Sequence, residues 1–186
     1  MIILANNLRI ISGKYRGKTF DGDSIVGTRP TMDRIKESLF AMIQNDIKDS
    51  VCLDLFAGSG NLGLEALSNG AKACYFVDLN KIATDTISKN IKKLDIKEDY
   101  YILTKDYKDA LKNFYNQKIK FDIIFLDPPY QDHLTSDSLK KIKEYELLTD
   151  NGIIVCEYES EEVINNDFHI YKERAYGSKK IVIYKK

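Results

Sequence analysis

The stretch Val51 to Gly63, VCLDLFAGSGNLG, constrains the fold of this chain more than any other. A short apolar run, Val51-Cys52-Leu53, ends in a carboxylate, Asp54. Leu55 and Phe56 follow, and then the turn Gly58-Ser59-Gly60-Asn61-Leu62-Gly63 opens into the helical pattern of Leu64 to Leu67. Strand, glycine turn and helix together make the βα unit that binds nucleotide cofactors in open α/β sheets. Gly58 and Gly60 permit the tight backbone path and the close approach of a ligand, and Gly63 lets the helix pack on the strand. The spacing satisfies G-x-G-x-x-G, yet Asp54 argues against a dinucleotide. Free helix N–H groups favour a pyrophosphate at such a turn, and a carboxylate aimed at the same place repels one. S-adenosylmethionine has no phosphate and carries a cationic ammonium and a cationic sulfonium, so Asp54 favours a methyl donor. The same glycine string also occurs as a plain packing turn, and the decision falls to a second motif.

From residue 51 onward strands and helices alternate. Ala73 to Val77 is a second apolar run and closes with Asp78, 24 residues beyond Asp54, near the roughly 20-residue distance at which an acidic group meets ribose hydroxyls. Leu79 and Asn80 follow directly, and the next helix carries Ile82, Ile87, Ile91 and Leu94 on one face. Tyr100 to Leu103 forms a third strand before Lys105-Asp106-Tyr107. Asp106 is placed to meet an adenine amino group or simply to cap a helix from Tyr107 to Tyr115. Phe121 to Leu126, apolar apart from Asp122, reads as a fully buried parallel strand and ends at Asp127-Pro128-Pro129-Tyr130. A helix around Leu139, Ile142 and Leu147 follows, then a strand from Gly152 to Cys156. Phe168 to Lys172 and Lys180 to Tyr184 form a closing antiparallel pair around Tyr176-Gly177-Ser178. The pattern predicts an α/β, Rossmann-like domain: a mostly parallel seven-stranded sheet with a terminal antiparallel strand and helices on both faces. Residues 1–186 make one domain, with a basic N-terminal hairpin and helix over 1–48 and a catalytic core over 49–186. Ligands sit at the carboxyl ends of such strands, where Asp54, Asp78, Asp106 and Asp127 all fall.

Asp-Pro-Pro-Tyr is an unusual choice for turn-making alone. Proline has no N–H, so the segment offers carbonyl oxygens with few competing donors, and the Asp127 carboxylate adds more acceptors. That composition matches an exocyclic amine such as guanine N2, adenine N6 or cytosine N4. Hydrogen bonds from both amine hydrogens to Asp127 and the Pro128 carbonyl draw the nitrogen toward tetrahedral geometry and direct its lone pair at an incoming methyl group. Orientation and proximity then supply most of the rate. The Tyr130 ring is suited to stack on a base turned out of its helix or loop.

The N-terminal segment points to a polyanionic partner. Residues 1–36 carry seven basic groups against three acidic ones, a surplus that the other 150 residues balance to a net charge of zero. Leu8 to Ile11 and Lys18 to Phe20 read as two short strands around Gly13-Lys14-Tyr15-Arg16-Gly17, whose two cations and aromatic ring suit phosphates and a stacked base. Thr31 is placed as a helix N-cap with Asp33 in the first turn. Ile35, Leu39, Ile43 and Ile47 then predict an amphipathic helix running to about Ile47. Arg29, Arg34 and Lys36 lie in or near its first turn and extend the basic face.

Several classes fall away. No apolar run approaches the roughly 18 residues of a membrane span, and MIILANNLRI lacks the basic segment and cleavage site of a signal peptide. Cys52, Cys74 and Cys156 sit in apolar, strand-like stretches at unrelated spacings, as buried thiols of a reducing compartment do. His133 and His169 are isolated, so no metal site is expected. The expectation is a cytoplasmic, monomeric enzyme.

DLFAGSGNLGLEALSNGA together with DPPY resembles a class I, S-adenosylmethionine-dependent methyltransferase of exocyclic amines. LRIISGKYRGKTF, TRPTMDRIKESLF and the YGSKKIVIY ending narrow the resemblance to the RsmD type, the bacterial 16S rRNA guanine-N2 methyltransferases. It extends over nearly the whole chain. The resemblance implies that Asp54, Gly58 and Gly60 line the methionine part of the cofactor, with Phe56 and Asn61 also in the cofactor site. It also implies that Asp78, Leu79 and Asn80 meet the ribose side, that Asp106 and Tyr107 lie near adenine, and that Asp127, Pro128, Pro129 and Tyr130 hold the target guanine. Arg9, Lys14, Arg16, Lys18, Arg29 and Arg34 would touch rRNA of the small subunit. The chain departs from the family at Asp78, where glutamate is commoner, and at Lys18 and Phe20, where Arg and Leu are. Three rivals stand beside this reading: a DNA adenine-N6 or cytosine-N4 methyltransferase, an NAD-dependent oxidoreductase using the same glycine turn, and a non-catalytic RNA-binding assembly factor. The first would want a separate DNA-recognition domain, the second is opposed by Asp54, and the third would be marked by loss of Asp127.

Overall fold

The apolar runs of the sequence assemble into one seven-stranded sheet in the order β5-β4-β3-β6-β7-β9-β8. The computed structural model describes residues 7–22, 29–129, 133–159 and 167–186. In chain order the sheet strands are β3 (Val51–Asp54), β4 (Ala73–Asp78), β5 (Asp99–Thr104), β6 (Phe121–Leu126), β7 (Leu148–Glu159), β8 (His169–Tyr176) and β9 (Lys179–Lys185). The first five pair in parallel, while β9 runs antiparallel to both β7 and β8. The expected fold class is therefore present, and the order reverses at β3/β6, where an open sheet offers its ligand crevice.

Alternation along the strands assigns each side chain to one of two buried layers. Cys52, Phe76, Ile123, Phe125, Val155, Ile181 and Ile183 face a layer closed by α1 (Arg29–Met42), α2 (Gln44–Ile47), α3 (Asn61–Ser68) and α4 (Lys81–Leu94). Leu53, Val77, Ile124, Leu126, Ile154 and Val182 face the opposite layer, closed by α5 (Tyr107–Asn116) and α6 (Leu134–Glu144). Each such side chain contributes roughly 1.5–3 kcal/mol on leaving water. α3 lies against β4 so closely that a Cβ on Gly63 would come within 2.3 Å of the Phe76 ring. The third glycine of the turn is thus required by packing, as its spacing suggests.

The N-terminal hairpin, β1 (Asn7–Arg9) and β2 (Thr19–Asp21), is a separate two-stranded sheet. Its Leu8, Ile10 and Phe20 join the first buried layer together with Ile35 and Leu39 of α1. Buried Asn90 on α4 ties it further, accepting from the Asp21 N–H at 2.9 Å and donating to the Asp21 and Ser59 carbonyls at 2.8 and 3.0 Å.

Three local expectations are corrected. The expected base-stacking Tyr15 is buried at 4% exposure, because the hairpin loop folds onto the end of α3. Its backbone N–H donates to Ser68 Oγ at 3.0 Å, and its hydroxyl donates to Glu98 at 2.7 Å. Thr31 is not the N-cap, since α1 already begins at Arg29; Pro30 is tolerated there because first-turn N–H groups have no intrahelical partner. Asp33 accepts from Arg9 Nε at 2.8 Å. Finally, the helix does not run unbroken to Ile47. Ile43 leaves helical geometry at φ −109, ψ 11, and the chain tightens through an Asp46 N–H to Ile43 carbonyl bond of 2.8 Å. Both Ile43 and Ile47 stay buried across the break.

Candidate active site

The carboxyl ends of β3, β4, β5, β6 and β7 and the start of β9 open on a cavity of about 860 Å³, within the usual size of a small-molecule site. Asp54, the last residue of β3, is 2% exposed and accepts the Gly63 N–H at 2.9 Å. Burial, with the neighbouring Asp78 carboxylate, raises its carboxyl pKa to about 7, against the pull of that N–H. Such a group gains from a cationic ligand, which would restore its ordinary ionisation. Asp78, ending β4, accepts from Gly58 N–H at 2.9 Å and Asn80 N–H at 2.8 Å. Each of its oxygens keeps further acceptor capacity, and the residue lines the cavity.

Asp106 caps α5, as expected, by accepting the Lys108 N–H at 2.8 Å, and it also lines the same cavity. Phe56 and Tyr107 form a tilted ring pair 5.4 Å apart on the cavity wall. The Tyr107 hydroxyl donates to Asp137 at 2.7 Å, which with burial raises its pKa. Gly58, Asn61 and Leu79 also line the cavity. Asn80 and Gly60 do not. Asn80 caps α4, accepting from Ile82 N–H at 2.9 Å. Gly60 adopts φ +89, and a Cβ there would meet Leu64 at 3.2 Å, so its place is set by the turn.

At the other end of the cavity stand Asp127, Pro128 and Pro129; Tyr130 lies outside the described residues. Asp127 is exposed toward the open cavity. Its pKa is raised to about 8 by the protein packed around it first and by the Glu157 carboxylate second, while Lys179 draws it down. Water in the cavity offsets part of the enclosure effect, whereas repulsion from Glu157 persists. Glu157 and Lys179 form an ion pair at 2.5 Å and line the cavity beside Asp127. The roof comes from α1, through Met32, Ile35, Lys36 and Leu39. Lys36 is 4% exposed and donates to the Arg9 carbonyl and Asn61 Oδ1, each at 2.8 Å, and to Glu65 at 3.0 Å. Burial lowers its pKa against the attraction of Glu65.

Lys36, Glu157 and Lys179 were not among the expected site residues. Glu157 carried a readable signal: it directly follows the apolar run Ile153 to Cys156, as Asp54, Asp78 and Asp127 follow theirs. Among the expected RNA contacts, Arg16 and Arg34 are exposed. Arg9 pairs with Asp33, Lys14 with Glu98, and Lys18 donates to the Leu94 carbonyl. The Arg29 side chain is outside the described set. Among the described residues there is no cluster suited to a metal and no helix long and apolar enough to cross a membrane. Cys52, Cys74 and Cys156 are buried free thiols.

A sheet of this order, with carboxylates at consecutive strand ends and Asp-Pro-Pro beyond the fourth core strand, is the architecture of a class I methyltransferase. The chain belongs to the family described as Conserved hypothetical protein 95, which matches residues 8–185 and is the RsmD family. It is 36% identical over 173 residues to "Ribosomal RNA small subunit methyltransferase D" of Haemophilus influenzae, covering 91% of this chain and 89% of that one. Among solved structures, "Putative methyltransferase yhhF from Escherichia coli" superposes with a TM-score of 0.82 at 28% identity, covering 96% of this chain and 97% of that one. The Thermus thermophilus 16S rRNA N2 G1207 methyltransferase, solved with S-adenosylmethionine and guanosine, gives a TM-score of 0.73 at 20% identity over 98% of this chain and 50% of its own. That last likeness is one of fold.

Proposed function

We propose that this protein transfers a methyl group from S-adenosylmethionine to the N2 amine of a guanine in 16S rRNA of the small ribosomal subunit, in the cytoplasm. The observation that carries the reading is the pairing, in one cavity, of a buried and cation-seeking Asp54 with Asp127-Pro128-Pro129. The residues fit the cofactor. Asp54 suits the ammonium group, Asp78 the ribose hydroxyls and Asp106 the adenine amine, with Phe56, Leu79 and Tyr107 as apolar walls. When bound, the cofactor supplies a methyl group on a good sulfur leaving group. Asp127 and the Pro128 carbonyl accept the two amine hydrogens and aim the nitrogen lone pair along the cavity. The amine must shed a proton as its new bond forms, and Asp127, raised to about 8, is a better acceptor for it than an ordinary carboxylate. Asp127 has to be ionised to accept both roles, so kcat/KM should rise with pH up to about 8 and then level. A flat profile from pH 6 to 9 would contradict that role.

The basic face of residues 1–48 serves as the rRNA-contacting extension of the 49–186 core. Arg9, Lys14, Arg16, Lys18 and Arg34 are all exposed, with Arg9 and Lys14 in ion pairs and Lys18 donating to a backbone carbonyl. The test is transfer of labelled methyl to small subunits from a strain lacking this enzyme, with naked rRNA and duplex DNA alongside and Asp127→Ala as control. Label at guanine N2 of the rRNA is expected. Label only in DNA would move the protein to the adenine or cytosine amine class, and cofactor binding without label anywhere would favour a non-catalytic assembly factor.

A further inference from the structure

Three side chains line up across the target end of the cavity. β6 and β7 are parallel with Leu126 opposite Cys156, so Asp127 and Glu157 are the next residues out on neighbouring strands. β7 and β9 are antiparallel with Glu157 opposite Ile181 and Glu159 opposite Lys179, which puts Lys179 on the diagonal from Glu157. Alternation places all three on the sheet face of Phe125, Val155 and Ile181. Adjacent strands lie about 4.8 Å apart, and diagonal partners are within reach of long side chains. The row therefore converges within the width of a purine. The Lys179–Glu157 ion pair closes one end of it, and all three residues line the cavity.

Stability does not account for this arrangement. Like charges on neighbouring strands are destabilising, and Glu157 is only 12% exposed. Read as a hydrogen-bond pattern, the row is acceptor, acceptor, donor in strand order β6, β7, β9. The edge of guanine presents donor, donor, acceptor: the N2 amine, the N1–H and O6. Adenine offered by its N6 amine would set the N1 lone pair against Glu157, and cytosine offered by its N4 amine would set N3 there. Neither fits.

We propose that Asp127, Glu157 and Lys179 read the N2, N1 and O6 positions of the target guanine, with Glu157 and Lys179 as the specificity-determining residues. This rests on the function proposed above and goes further by assigning the choice of base. An ion pair that merely joins β7 to β9 would explain the contact and predict no discrimination between bases that share a 2-amine.

The probe is 16S rRNA in which the guanine located by the transfer assay is replaced by 2,6-diaminopurine, assembled into small subunits. This base keeps the 2-amine but turns N1 into an acceptor and position 6 into a donor. The wild-type protein should prefer guanine by roughly a hundredfold or more in kcat/KM, because mismatched buried polar groups are strongly rejected. Glu157→Gln, whose amide donates to the N1 lone pair, should lose on guanine and gain on diaminopurine. Lys179→Met should lose mainly on guanine. Unchanged S-adenosylmethionine affinity shows that each variant is folded, and the wild-type comparison stands if one is not. Equal use of both bases by the wild type overturns the proposal, as does an equal fall on both in Glu157→Gln. If wild type places no label on guanine N2, the underlying function fails instead, and that is visible before any variant is made.

Discussion

The two ends of the cavity hold their charges by different means. At the cofactor end, Asp54, Asp78 and Asp106 are fixed by backbone N–H groups of Gly63, Gly58, Asn80 and Lys108. At the target end, Glu157 is held by the Lys179 side chain, and the roof by the buried Lys36–Glu65 pair. An amide dipole orients a carboxylate without cancelling its charge, so the cofactor end remains negative and suits a cation. A lysine partner supplies a full opposite charge, so the target end presents a pattern of donors and acceptors. On the reading proposed above, one end attracts and the other discriminates.

The sharpest way to break this comparison is at Asp127. Asp127→Ala should cut methyl transfer by roughly a thousandfold while leaving S-adenosylmethionine affinity unchanged, measured by titration calorimetry. A matching loss of cofactor binding would mean the two ends are not separable. Next is the roof. Lys36→Met removes the ammonium partner of buried Glu65, which keeps the Ile11 and Ser12 N–H groups and the Ser12 hydroxyl, and should cost about 2 kcal/mol, seen as a fall in Tm of roughly 6 °C. The added substitution Glu65→Gln should recover part of that, and no recovery would show that the pair is not the cause.

Asp54→Asn separates binding from stability. Loss of a charge-assisted contact should weaken cofactor binding by about tenfold or more, yet the cofactor-free protein should become more stable at pH 8. The sign follows from the folded pKa of about 7, raised above the ordinary 3.8 of an aspartate. The unfolded chain ionises first, so stability is highest below pH 4 and declines up to about pH 7. The gain from Asn should be a few degrees in Tm at pH 8 and vanish at pH 4; a gain that persists at pH 4 would show that burial of charge is not its source. The smallest effect is expected on the basic face. Arg16→Gln with Arg34→Gln should reduce the salt dependence of RNA binding by about 0.7–0.9 per lost phosphate contact, and an identical slope would remove both from the interface.

Legibility in the sequence follows the same division. Asp54 and Gly63 are nine positions apart, Asn80 and Asp78 two, so the cofactor end is written as local motif and turn chemistry. The sheet order follows from alternating apolar runs and right-handed crossovers. Tyr15 misleads because nothing local reveals that Ser68 and Glu98, 53 and 83 positions away, will bury it. Glu157 and Lys179 meet Asp127 only through strand pairing, and Lys36 reads as surface charge until α1 covers the cavity. Ser38 of α1 likewise reaches Tyr176, 138 positions on.

The seating of the hairpin loop on α3 also sets an order of assembly. A Cβ on Gly13 would lie 1.9 Å from the Ser68 carbonyl oxygen, and Lys14 pairs with Glu98 across 84 positions. The hairpin can therefore meet α1 early, through Asp33 and Lys36, but its loop has no seat until α3, α4 and Glu98 have left the ribosome. Contacts of such sequence separation are formed late because loop closure must precede them. A nascent chain halted before residue 61 carries the hairpin with the side that meets α3 uncovered, and it is over that interval that a holdase would find this protein.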